Sequence, residues 1–172
     1  LVAIADPCEE ARARARRDHP DVAISAGFEE LLRDHAVDAV ILCTPPHTHA
    51  SLALAAFGEG KHVLCEKPLA TTLSDADTMI RVAQDSGCRL GTVAQRRFEP
   101  ALQAAHRAVR EGALGALLMV SAYKKWQRSD SYFSWDPWRA SASQSGGGAV
   151  MSIAIHSLDL LQWFTGPWQT IF

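Results

Sequence analysis

Ala39-Val40-Ile41-Leu42-Cys43-Thr44-Pro45-Pro46-His47-Thr48-His49 opens as an uninterrupted apolar run and closes in a turn stiffened by two prolines. Such a run reads as a strand buried on both faces, as in a parallel sheet. Ala50–Phe57 is helical and is ended by Gly58 and Gly60, and His62-Val63-Leu64-Cys65 is the next strand. Upstream, Leu1–Ala5 is a short apolar run, followed by Asp6-Pro7-Cys8-Glu9. That stretch has the chemistry of a helix start, with Asp6 as cap, Pro7 at the first helical position and Glu9 completing a capping box. Phe28–Leu32 is a short second helix, Ser74-x-x-Asp77 opens a helix running to Gly87, and Arg89–Ala94 is another strand. Strands alternating with helices at this spacing predict a doubly wound, mostly parallel α/β sheet.

Beyond that sheet the pattern changes, near Gln95–Phe98. Glu99-Pro100 starts a helix with Leu102, Ala105 and Val109 on one face, ending at Gly112. Leu117–Trp126 alternates like a strand of a second sheet. Asp130–Ser145 reads as polar, aromatic and irregular, and His156–Phe164 as helix ended by Gly166-Pro167. The expected division is 1–96 and 97–172. The chain begins in a strand without methionine and ends where another strand begins, so both ends read as cut relative to a full-length enzyme.

A net charge of −2 over 172 residues gives no pull toward nucleic acid or an anionic membrane. No apolar run approaches the roughly 20 residues of a membrane span. Cys8, Cys43, Cys65 and Cys88 lack C-x-x-C spacing and read as small buried hydrophobes in a reducing cytoplasm, with no metal site expected.

The chemistry gathers at strand ends, where open α/β sheets bind ligands. Asp6 follows the first apolar run. A dinucleotide fold places an acidic residue at the end of its second strand, about 20 residues after a G-x-G-x-x-G turn. That turn is absent here, and Asp6 fits the acidic position if the first βα unit is missing. Its carboxylate would then accept bonds from the adenosine ribose and repel a 2′-phosphate, favouring NAD over NADP. The plainer reading makes Asp6 only a helix cap, and the two roles can hold at once. Thr44, Pro45, Pro46 and His49 form a rigid turn that can lie flat against a cofactor, with His47 in solvent.

Glu66-Lys67-Pro68 closes the strand His62–Cys65. A free lysine titrates near about 10.4, and desolvation lowers that value toward proton exchange at neutral pH. A cis bond at Pro68 would fix where Lys67 points. His156, after Gly146-Gly147-Gly148, is the candidate acid–base, because an ordinary histidine titrates near about 6.5. The plainer alternatives are a surface lysine paired with Glu66 and a satisfied core histidine.

These three boxes, Thr44–His49, Glu66–Pro68 and Gly-Gly-Gly-x₇-His156-x-x-Asp159, resemble the Gfo/Idh/MocA family in order and spacing, over nearly the whole chain. Its members include glucose–fructose oxidoreductase and inositol dehydrogenase. The resemblance implies a Rossmann-type doubly wound parallel sheet, here without its first βα unit. The start of an α/β domain with an open, mostly antiparallel sheet would follow. It implies NAD(P)-dependent hydride transfer with a sugar, inositol or related polyol, and a homo-oligomer at full length. By resemblance, Thr44–His49 packs near the adenosine and pyrophosphate, and Lys67 contacts the substrate hydroxyl and nicotinamide ribose. Glu66 and Gln95 join the cofactor side. Arg96, Arg128, Tyr132, Trp138 and Arg139 face substrate, with Arg96 or Arg97 able instead to be an ordinary helix-entry charge. One departure stands out: Ser152 occupies a position where many members carry Asp. That departure and the absent glycine turn keep open a non-catalytic sugar- or nucleotide-binding relative or an inactive fragment. An NAD-dependent glycosidase on the same scaffold is a further alternative.

Overall fold

A computed structural model describes residues 1–171. The chain divides into two compact units. The first comprises 1–44, 48–65 and 74–91; the second takes 45–47, 66–73 and everything from Thr92 onward.

The first unit holds two parallel ladders. β1 (Ala3–Ala5) pairs with β2 (Ala23–Ser25). β3 (Ala39–Leu42) pairs in parallel with β4 (His62–Cys65), and β5 (Leu90–Thr92) lies beside β4. Among the described residues no ladder joins the two sheets. The connections are α1 (Glu9–Asp18), α2 (Phe28–Arg33), α3 (His49–Gly58) and α4 (Leu73–Asp85). The expected parallel α/β architecture is therefore present, with β2 as a strand the sequence reading passed over. Ala-Ile-Ser is too short to show a period, and only its pairing with β1 defines it.

α3 carries the core. His49, Ala53, Ala56 and Phe57 recur at helical spacing and are all buried. They pack with Val40 and Leu42 of β3 and Val63 and Cys65 of β4, and Met79 and Ala83 of α4 complete the apolar interior.

Several expectations need correction. β3 is buried on one face only: Val40 and Leu42 point inward, whereas Ile41 is 65% exposed. An unbroken apolar run fixes that a strand forms, not that both faces are covered. Asp6 does not cap α1. The cap position is Cys8, whose backbone N–H donates to Asp6 Oδ1 at 2.8 Å, so Asp6 makes a local turn one step earlier. Leu117–Trp126 forms no strand; its residues are exposed and have no ladder partner among those described. Alternation prepares a segment for a sheet, but only a neighbour's hydrogen bonds make it one. Asp130–Ser145 is not irregular throughout. It contains α6 (Asp130–Trp135), a 3₁₀ turn at Pro137–Ala140 and α7 (Ala142–Ser145). Helices this short leave too few turns for a readable period.

The second unit also contains α5 (Pro100–Arg110), with Pro100 at its first position, and α8 (Ile155–Thr165), preceded by a π-helical turn at Val150–Ala154. His106 of α5 stacks on Trp163 of α8 with ring centroids 3.9 Å apart. No helix among the described residues is long and apolar enough to cross a membrane.

Candidate functional site

Three strand ends position the predicted residues. β1 runs into Asp6, whose N–H donates to the Ser25 carbonyl at 3.2 Å. One carboxylate oxygen of Asp6 takes the Cys8 N–H, and the other accepts no hydrogen bond among the described residues. A half-buried carboxylate with a spare oxygen at a parallel-strand end fits a ribose diol.

β3 runs into Thr44, and there the turn is clamped. Thr48 Oγ1 donates to Thr44 Oγ1 at 2.7 Å, and His49 Nε2 lies 2.8 Å from the Thr44 carbonyl. His49 is wholly buried, so any part it plays in cofactor binding runs through the turn it holds. His47 is exposed, as expected of a turn residue.

β4 runs into Glu66-Lys67-Pro68. The Lys67–Pro68 peptide is cis. The Glu66 carboxylate accepts the Lys67 backbone N–H at 3.0 Å, which leaves the lysine side chain to reach elsewhere. Its ammonium donates to the Ser152 backbone carbonyl at 3.0 Å. Ser152 lies in the π-helical turn, an irregularity that recurs at functional sites. Its hydroxyl donates back to the Gly148 carbonyl at 2.7 Å. The first glycine of that loop, Gly146, has φ of +79°, and a Cβ there would sit 3.1 Å from Thr71 Cα. The glycine run thus lets the helix approach the segment that carries Lys67.

Lys67 and Ser152 open onto a cavity of about 680 Å³ within the second unit. Arg128, Tyr132, Trp138 and Arg139 line it, as does Pro46. The structure therefore collects one predicted cofactor-turn residue, the predicted lysine and four predicted substrate residues on one concavity. Gln127 lines it too, and so do Trp135 and Ser145, which the sequence does not single out. His156 is not in the lining; it sits one helical turn beyond Ser152 and is half-buried. Desolvation first, then the charges of Lys67 and Arg96, hold its imidazole below the ordinary histidine range, against an opposing pull from Glu66 and with a lesser push from Lys124. It is therefore mostly neutral at neutral pH, the state that accepts a proton.

Two predicted arginines are engaged elsewhere. Arg97 grips Asp159 through two hydrogen bonds of 2.9 and 2.5 Å, and Arg96 donates to Glu99 at 3.0 Å. Arg97 is thus an internal anchor to α8, and Arg96 lies outside the cavity lining. Gln95 is exposed at the start of a 3₁₀ turn, Gln95–Phe98. No group of three or more potential metal ligands occurs among the described residues.

The model of the GFO/IDH/MocA oxidoreductase family, NAD-binding Rossmann fold, matches residues 1–94, and that of the family's C-terminal domain matches 102–172. The chain belongs to this family. Its first 94 residues are the family's NAD-binding Rossmann domain. The chain is 37% identical to 1,5-anhydro-D-fructose reductase of Ensifer adhaerens, over 78% of this chain and 40% of that protein. It is 33% identical to inositol 2-dehydrogenase of Paracoccus denitrificans, over 94% of this chain and 46% of that enzyme. The WlbA dehydrogenase of Bordetella pertussis, solved with NADH and UDP-GlcNAcA, superposes with a TM-score of 0.91 at 33% identity. That match covers 97% of this chain and 51% of the other. The chain spans about half the length of the GFO/IDH/MocA relatives it matches.

Proposed function

We propose that the protein carrying this chain oxidises a secondary alcohol of a sugar, inositol or related polyol with NAD. One observation supports this reading above the others: the Lys67 ammonium is held by a backbone carbonyl at the rim of a sugar-sized, aromatic-lined cavity. The buried Lys61 also ends on a backbone carbonyl, that of Asp34 at 3.0 Å, so what sets Lys67 apart is the cavity its ammonium faces. The Glu66 carboxylate bonds the Lys67 backbone, and the ammonium keeps donors for a substrate hydroxyl.

NAD, when bound, supplies the hydride acceptor. The chain's own residues handle the proton and the orientation. Lys67 hydrogen-bonds the reacting hydroxyl oxygen and stabilises the negative charge that grows there as the proton leaves. As Lys67 takes the hydroxyl proton it gives up one of its own, and His156, neutral because it is desolvated and faces positive charge, is the group that would receive it. Trp138 offers an apolar face to sugar C–H groups, while Tyr132 holds the guanidiniums of Arg128 and Arg139, each 4.3 Å from its ring centre, at the cavity. Asp6 would take the adenosine ribose hydroxyls through its spare oxygen, and Thr44, Pro45 and Pro46 would support the cofactor from the β3 turn.

Two expected results follow. Asp6→Ala narrows the preference for NAD over NADP, read as the ratio of the two dissociation constants; an unchanged ratio removes Asp6 from the ribose site. Ser152→Asp places a carboxylate one turn before His156 and favours its imidazolium. The His156 pKa now lies below its ordinary value, so loss of activity on acidification begins below that value as well. The aspartate variant moves that acid limb to higher pH while turnover persists. A pH profile identical to that of the parent would remove His156 from the relay. The non-catalytic reading keeps one supporting fact, the serine itself, and it requires tight NAD binding with no turnover on any polyol.

A further inference from the structure

We propose that the cavity of the second unit selects a sugar bearing an anionic group, a carboxylate or a phosphoryl, over a neutral polyol. The chain as a whole has more acidic than basic residues, 19 against 17. The cavity lining reverses that balance: Lys67, Arg128 and Arg139 line it, and no aspartate or glutamate does.

The pairing of these cations is incomplete. Arg139 has Asp136 at 2.7 Å, yet its Nε–H is buried and makes no hydrogen bond among the described residues. Arg128 makes no ion pair among the described residues. Among the described residues the Lys67 ammonium is held by a neutral carbonyl alone. Both guanidiniums are set by the same ring, with Arg128 and Arg139 each 4.3 Å from the centre of Tyr132. Ring contact fixes the guanidinium planes while leaving their N–H edges for a planar or tetrahedral anion. Two like charges flanking one ring, beside an ammonium, also repel one another until an anion joins them. A neutral polyol could accept the Arg139 Nε–H, but it would leave the positive charge of the lining unbalanced. The aromatic side chains of the lining still ask for the C–H face of a sugar, so the ligand is an acidic sugar and not a bare anion.

This inference rests on the proposed function only for the sugar part of the ligand, and its test needs no turnover. Trp135 and Trp138 line the cavity, so their fluorescence can report binding. D-Glucose, D-glucuronate and glucose 1-phosphate are titrated into the protein at low and high ionic strength. At least one anionic sugar is expected to bind roughly tenfold or more tighter than glucose, the scale of a charge-assisted hydrogen bond. Which one does so identifies carboxylate or phosphoryl as the group read. High salt should erode that preference, and Arg128→Gln should reduce it several-fold with near-ultraviolet circular dichroism preserved. Equal affinities for glucose and both anionic sugars overturn the inference. So does a preference that survives both salt and Arg128→Gln. Tight glucuronate binding without NAD reduction would sink the dehydrogenase reading alone. Oxidation of neutral polyols with no anionic preference would sink this inference alone.

Discussion

Lys67→Ala is expected to lower kcat by at least about 10²-fold, with NAD affinity largely kept. The size follows from what is lost. The ammonium stands at the cavity rim, where it can sit on a developing alkoxide, and alanine leaves the Ser152 carbonyl in its place. His156→Ala should lose a comparable factor and flatten the pH profile near neutrality, because the proton then has no acceptor tuned by burial and positive charge. Losses confined to KM would show that both residues only bind substrate.

The largest expected stability effect lies far from that chemistry. Phe57→Ala should cost about 3–5 kcal/mol, the usual range for deleting a buried aromatic ring. Phe57 is 2% exposed and belongs to the face of α3 that packs on β3 and β4. Its neighbours on that face are Ala53 and Ala56, too small to fill the gap. Chemical denaturation measures it. A loss under about 1 kcal/mol would mean that α3 does not carry the core.

The parallel sheet was legible because β3 and β4 are apolar runs followed by proline turns, features set by local chemistry. The one-sided burial of β3 was not legible, since an apolar sequence says nothing about what covers its second face. Leu117–Trp126 was misread for a related reason: period-2 alternation is local, but strand identity needs a partner. At the site, Lys67 stands out at the end of a strand and the family resemblance points to Arg128, Tyr132, Trp138 and Arg139; all five line one cavity. The Ser152 contribution was half-read. Its side chain drew notice as a missing carboxylate, whereas its contact with Lys67 is made by the backbone carbonyl, which no residue type announces. The Arg97–Asp159 pair spans 62 positions, and sequence spacing gave no reason to join those two.

The most direct test follows reduced nicotinamide as the protein carrying this chain is given NAD and a panel of sugars, inositols and sugar acids. Reduction of NAD by at least one of them, abolished in Lys67→Ala, is the expected result. NAD bound tightly by the parent protein, with no reduction by any member of the panel, would contradict the dehydrogenase reading and leave a binding protein in its place.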